Sequence, residues 1–229
     1  MSVLSFMEFA SFDDPRHARD VRALVESLGR AIFFARFEPW EVAKKEDELT
    51  TAGSGDAPEG DEEFLLAVMM PHAKYGEPFS AGVIFDYVAE HAERLKPRLE
   101  GLERATLEGI NALRQRVDSE RGFESAMRRS IRAADRTRAT LALARAMAAF
   151  MQANRAQSPN MNDAADLLHT VVPVAYCDFV LLDKKWRNMA EQARKRLDSE
   201  GIGARTAKVF GAGPRDIEEF LTALEQFQR

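Results

Sequence analysis

The sequence predicts an α/β fold with a short parallel sheet, made helix-rich by a long helical segment in the middle of the chain. Three observations carry this expectation. Strand-like and helix-like stretches alternate towards the C-terminus; apolar residues recur at three- and four-residue spacing from about residue 63 to 156; and loop-rich stretches separate the two textures.

In chain order, "SVLSF" reads as a short strand, and Ser5-x-x-Glu8 has the form of a capping box. "PRHARDVRALVESLG" is an amphipathic helix with Val21, Leu24, Val25 and Leu28 on one face and Gly29 as its stop. "RAIFFARF" is strand-like by composition, with a short helix as the alternative. Residues 51–62, rich in Gly, Pro, Ser and acid, predict a flexible acidic surface loop. "FLLAVMM", "AGVIFDYVAEHAERL", "LERATLEGINALRQRV" and "FESAMRRSIRAADRTRATLALARAMAAFMQ" then carry the helical spacing, punctuated by Pro71, Pro78, Pro97 and Gly122. Beyond them, Asn160 or Asn162 caps a helix that holds Asp166 and His169 and is limited by Pro173. "DFVLL" is a buried-strand run closed by Asp183. "KKWRNMAEQARKRLDSEG" is an amphipathic helix, "TAKVFGAG" a second short strand, and "PRDIEEFLTALEQF" a closing helix with Pro in its first turn. Strand, helix, strand and helix at these lengths imply crossover connections and a parallel sheet.

Composition narrows the function classes. Apolar residues make up 45% and charged residues 30% of the 229, as in a soluble globular protein, and the net charge of -5 means that any nucleic-acid contact must use a local basic patch. Cys177 is the single cysteine, which excludes an internal disulfide and a cysteine-rich zinc site and fits a cytoplasmic location. No stretch approaches the roughly 18 apolar residues of a membrane span, and the first residues lack a signal-peptide pattern, so no membrane partner is expected.

The acids pose the functional question. In a parallel sheet the functional edge is at the carboxyl ends of the strands. Asp183 falls there, directly after "FVLL"; Asp166 lies on the preceding helix; Glu8 follows "SVLSF" in the same kind of position. Carboxylates gathered at one edge repel, by about 4 kcal/mol at 4 Å and an effective dielectric of 20, and a divalent cation reverses that sign. Oxygen ligands without a His/Cys set suit Mg²⁺ or Mn²⁺. Each acid also has a local explanation: Glu8 in a capping box, Asp166 at a helix start, Asp183 as a polar strand end.

"SVLSFMEF" together with "DLLHTVVPVAYCDFVLLDKKW" resembles the PIN-like nuclease family, most closely a bacterial subgroup with Asp-x-x-His followed by Tyr-Cys-Asp and a strand-closing acid. The resemblance implies a three-layer α/β/α sandwich that hydrolyses RNA phosphodiesters with Mg²⁺ or Mn²⁺. It makes Asp166, Asp183 and Glu8 the metal-binding and catalytic acids. Residues 1–50 and 157–229 become one discontinuous α/β domain, and 63–156 an α-helical insertion. The family's usual first acid, commonly in Asp-Thr-Asn, has no counterpart before "SVLSF", and Leu182 stands before Asp183 where many members carry a hydroxyl residue.

Around these acids, His169 shares a helix face with Asp166 and either orders the metal acids, contacts a phosphate or is a core-edge histidine bonded to backbone; Asp178, before the strand, either supports the metal acids or caps or pairs with a base. Arg128, Arg132 and Arg136, spaced by four, with Lys184 and Lys185 beside Asp183, form the expected RNA contacts. The expectation is thus a metal-dependent endoribonuclease. Two alternatives stand beside it: an inactive PIN-like module whose helical insertion binds an inhibitory or partner protein or forms a homodimer, and a helical nucleic-acid-binding protein.

Overall fold

The structure, a computed structural model, describes residues 15–28, 36, 38–52, 80–123, 125–126, 129, 139–154, 157–202, 204 and 206–227. "SVLSF", Glu8, "FLLAVMM", Arg128, Arg132 and Arg136 lie outside these residues, as do "RAIFFARF" apart from Arg36 and the expected loop apart from residues 51–52. Contacts within the chain cluster into two compact units, residues 1–37 with 58–102 and residues 38–57 with 103–229. These boundaries fall at different positions from those expected from the sequence.

In the first unit, helix α1 (Pro15–Leu28) packs on helix α3 (Ala81–Glu90). Val25 is buried, whereas Leu24, expected on the same face, is exposed. Polar contacts fix the pair. Arg22 forks onto Asp86 with Nε at 2.8 Å and Nη2 at 2.6 Å, and Glu26 Oε2 accepts from Gly82 N at 2.7 Å and Ser80 Oγ at 3.0 Å. A carboxylate from one helix therefore satisfies a free N–H at the start of another. The next helix, α4 (Ala92–Ser119), begins after a turn at His91 and runs through Pro97, although a proline there predicts an interruption. Proline there costs only the bond to the Glu93 carbonyl, and the chain turns instead where the His91 ring stacks on Tyr87, centroids 4.2 Å apart.

The second unit holds the larger core. Helix α2 (Pro39–Ala52), not anticipated from the sequence, packs on helix α5 (Ala139–Ala153), which packs in turn on α6 (Met161–Tyr176) and α7 (Lys184–Ser199). Small residues make the close approach possible: Ala142 and Ala146 on α5, and Ala190 and Ala193 on α7, are buried in one cluster with Leu143, Met147, Leu167, Val171, Trp186 and Leu197. On α2, Val42 and Glu46 are buried, one turn apart. Glu46 Oε1 accepts from Thr140 N at 2.9 Å, an otherwise free N–H in the first turn of α5, and from the Tyr176 hydroxyl. Burial and the Glu46 carboxylate hold the Tyr176 phenol well above its usual range.

Strands β1 (Phe179–Leu182) and β2 (Lys208–Gly211) pair in parallel, with Phe179 opposite Lys208 and Leu182 opposite Gly211, and α7 makes the crossover. The closing helix α8 (Pro214–Phe227) lies against both strands, with Phe220 edge-on to Phe210 and Phe227 edge-on to Phe179. The alternation read from the C-terminal sequence is present, but the three-layer α/β/α sandwich is not. Among the described residues the sheet has two strands of four residues each, and the core is helix packed on helix. A pair of strands this narrow cannot bury both faces: "FVLL", expected to be a fully buried run, has only Val180 buried and leaves Leu181 exposed.

Candidate functional site

The C-terminal end of β1 is where the candidate acids meet the fold. Asp183 is the first residue past the strand and the N-cap of α7, its Oδ1 accepting from Trp186 N at 2.9 Å. Asp166 is on the second turn of α6, and its Oδ2 accepts from the Trp186 indole Nε1 at 2.7 Å. One tryptophan, 1% exposed, thus engages both acids, by its backbone N–H on one and its ring N–H on the other. The indole, anchored in the core, engages Asp166, and the backbone N–H of the same residue engages Asp183.

The α6 start is as well defined. Of the two candidate caps, Asn160 and Asn162, it is Asn160: its Oδ1 accepts from Asp163 N at 3.0 Å, and Asn160 N donates to Asp163 Oδ2 at 3.1 Å. The other Asp163 oxygen takes the Lys185 ammonium. Lys185, expected to meet RNA phosphate, is therefore already paired with a buried acid, whereas Lys184 is exposed in the first turn of α7. His169 lies three residues after Asp166 and is largely buried. Burial lowers its pKa, and the Asp166 charge opposes that shift. Asp178 sits before β1 and uses its backbone carbonyl to accept from Lys208 N at 2.9 Å, which registers the two strands.

The same edge holds a pair that the sequence reading did not single out. Arg187, in α7, donates from Nη1 to Asp216 Oδ1 at 2.6 Å and from Nε to Glu191 at 3.1 Å, and both carboxylates raise its pKa. Asp216 opens α8 next to Gly211, the last residue of β2. A Cβ at Gly211 would lie 2.6 Å from Asp216 Oδ2 and 3.0 Å from Arg187 Nη1, so the glycine makes room for the pair. An arginine and an aspartate 29 residues apart leave no local signal; only the register of Leu182 beside Gly211 brings them together.

Carboxylate oxygens are the kind of donor that a hard divalent cation takes. Asp166 and Asp183 each accept one hydrogen bond from Trp186 through a single carboxylate oxygen. Mg²⁺ is commonly held by one or two carboxylates with water and substrate phosphate completing its shell. Among the described residues, no group of three or more His, Cys, Asp or Glu is placed to hold a metal ion. The third expected ligand, Glu8, lies outside them. No described helix is long and apolar enough to cross a membrane.

Comparison of the chain with protein-family models, with curated proteins and with solved structures finds no match.

Proposed function

We propose that this chain hydrolyses RNA phosphodiester bonds in a reaction that depends on Mg²⁺ or Mn²⁺, with Asp166 and Asp183 as the acids of the site. The observation that supports this reading most is the engagement of both acids by Trp186 at the carboxyl end of β1, the edge at which α/β proteins place their ligands. The resemblance to PIN-like nucleases points to the same two residues. When bound, the cation would supply a water of lowered pKa and a counter-charge for the scissile phosphate. The protein's own part is positional. Trp186 fixes the acids, the start of α7 directs its free N–H groups and dipole towards an anion, and Lys184 adds an exposed positive charge in the same turn.

A second reading has its own observation. Capping α7 and anchoring the indole are sufficient structural reasons for Asp183 and Asp166, as in a chain that uses this unit only to bind partners. Asparagine separates the two readings, because it caps a helix about as well as aspartate and its carbonyl can still accept from the indole. Asp166→Asn and Asp183→Asn should therefore fold normally. On a mixed pool of RNA with Mn²⁺, the proposal expects cleavage that EDTA stops and that either variant abolishes. Cleavage undiminished in both variants, or none by the wild-type chain, would establish the structural reading instead.

A further inference from the structure

Beside the acids lies a cleft of about 410 Å³ that neither the sequence pattern nor the reading above employs. One wall is a single face of α7, where Lys185, Asn188, Met189 and Gln192 follow at spacings of three, four and seven from the first. The opposite wall is the end of α5 and the turn after it, with Phe150, Asn154, Gln157 and Pro159. Asn188 and Gln192 are the only amides on α7, an otherwise highly charged helix, and both line this cleft. Asn154 and Gln157 complete a set of four, and no described residue hydrogen-bonds any of the four side-chain amides. The turn that carries two of them is held from behind. Arg114 Nη2 lies 2.6–2.8 Å from the carbonyl oxygens of Met151, Asn154 and Gln157, which fixes the end of α5 and with it one side of the cleft.

We infer that this cleft is a nucleobase subsite for single-stranded RNA; the inference rests on the proposed function, which it deepens by naming how substrate is gripped. Three features point to a base. Each amide offers a donor and an acceptor, as the edge of a base does. Phe150, Met189 and Pro159 supply apolar surface for a flat ring, the usual complement to hydrogen bonding in single-strand recognition. The volume falls within the range of small-ligand sites. Position is the further argument. Asn188 is five residues past Asp183, about 7.5 Å along the helix axis, so a strand with a phosphate at the α7 N-terminus can set a neighbouring base in the cleft. Lys185, held by Asp163 at the lip between the two, retains two N–H donors for the intervening backbone.

The test is a binding measurement in EDTA, so that no cleavage intervenes. Fluorescence anisotropy with a short labelled oligoribonucleotide is compared with the same oligomer lacking its bases. Wild-type chain should bind the intact oligomer about tenfold more tightly, the scale of one well-made base contact. Asn188→Leu and Gln192→Leu, both at exposed positions and so compatible with folding, should remove that preference. Equal affinity for the two oligomers, or a preference untouched by both substitutions, overturns the subsite. Because the assay reads binding only, Asp166→Asn that abolishes cleavage while the preference is absent refutes the subsite and leaves the nuclease reading standing. A preference lost in Asn188→Leu without any cleavage does the reverse.

Discussion

Replacing Trp186 with phenylalanine isolates the element on which the candidate site depends. The substitution keeps an aromatic ring in the core and leaves the backbone N–H on Asp183, but removes the indole donor that binds Asp166 at 2.7 Å. A hydrogen bond to a charged group contributes about 1.5–3 kcal/mol. The smaller ring forfeits about 40 Å² of buried surface, or about 1 kcal/mol at 25 cal/mol/Å². The expected cost is therefore about 3 kcal/mol. With a urea m-value of about 2 kcal/mol/M, the unfolding midpoint followed by circular dichroism should fall by about 1.5 M. Asp166→Ala removes the acceptor instead. In a double-mutant cycle the pair should show a coupling of about 1.5 kcal/mol or more, because the bond can be lost only once. Costs that add to within about 0.5 kcal/mol would refute the idea that the indole organises Asp166.

Glu46→Ala should cost about 2–4 kcal/mol, since it strips the first turn of α5 and the Tyr176 hydroxyl of their shared acceptor; in chemical denaturation Glu46→Gln should retain most of the stability, and equal losses in the two variants would contradict the capping role. His169 makes a prediction in pH. Its folded pKa is depressed by burial from the usual 6.5, so the unfolded chain binds the proton more readily. The stability due to neutral His169 is then full above about pH 6.5 and is lost as the pH falls towards the folded pKa. Between pH 7 and 5.5 the wild-type urea midpoint should decline more steeply than that of His169→Gln, and parallel curves would show that His169 is not the group responsible. Gly211→Ala should cost about 1 kcal/mol by displacing the partly exposed Arg187–Asp216 pair, and combined with Asp216→Ala it should cost little more than either alone; fully additive losses would place the strain elsewhere.

The parts of this protein that were legible in its sequence are those encoded locally. Asn160, one of two candidate caps, marks the start of α6, and the amphipathic spacing after Asp183 marks α7; that Asp163 completes the capping box, that Asp183 caps α7 and that Trp186, Ala190, Ala193 and Leu197 are its buried residues the structure adds. Both strands are where "FVLL" and "KVFG" suggest. Helix α2 was hidden because one of its principal buried residues is an acid, Glu46, whose partners Thr140 and Tyr176 are distant in sequence. Pro97 misled because a single missing bond does not stop a long helix. The sandwich was what the resemblance to PIN-like nucleases implied, and the alternation itself supported only a parallel sheet. Alternation reports the order of elements but not the number of strands, and it could not reveal that the alanine faces of α5 and α7 would build the core from helices. Asp166 on the helix before β1 and Asp183 at the end of that strand lie where their sequence positions suggest. The indole that joins them, the amides beside them and the Arg187–Asp216 pair became visible only once α6, α7 and the two strands were in place.

Whether the acids engaged by Trp186 bind a divalent cation is the most direct test of the proposed site. Calorimetric titration of the full chain with Mn²⁺, set beside Asp166→Asn and Asp183→Asn with folding verified by circular dichroism, measures this. Saturable binding by the wild-type chain, lost in both variants, is the expected result. Saturable binding that persists unchanged in both, or no binding by a folded wild-type chain, would contradict it and leave the two acids as a helix cap and an indole anchor.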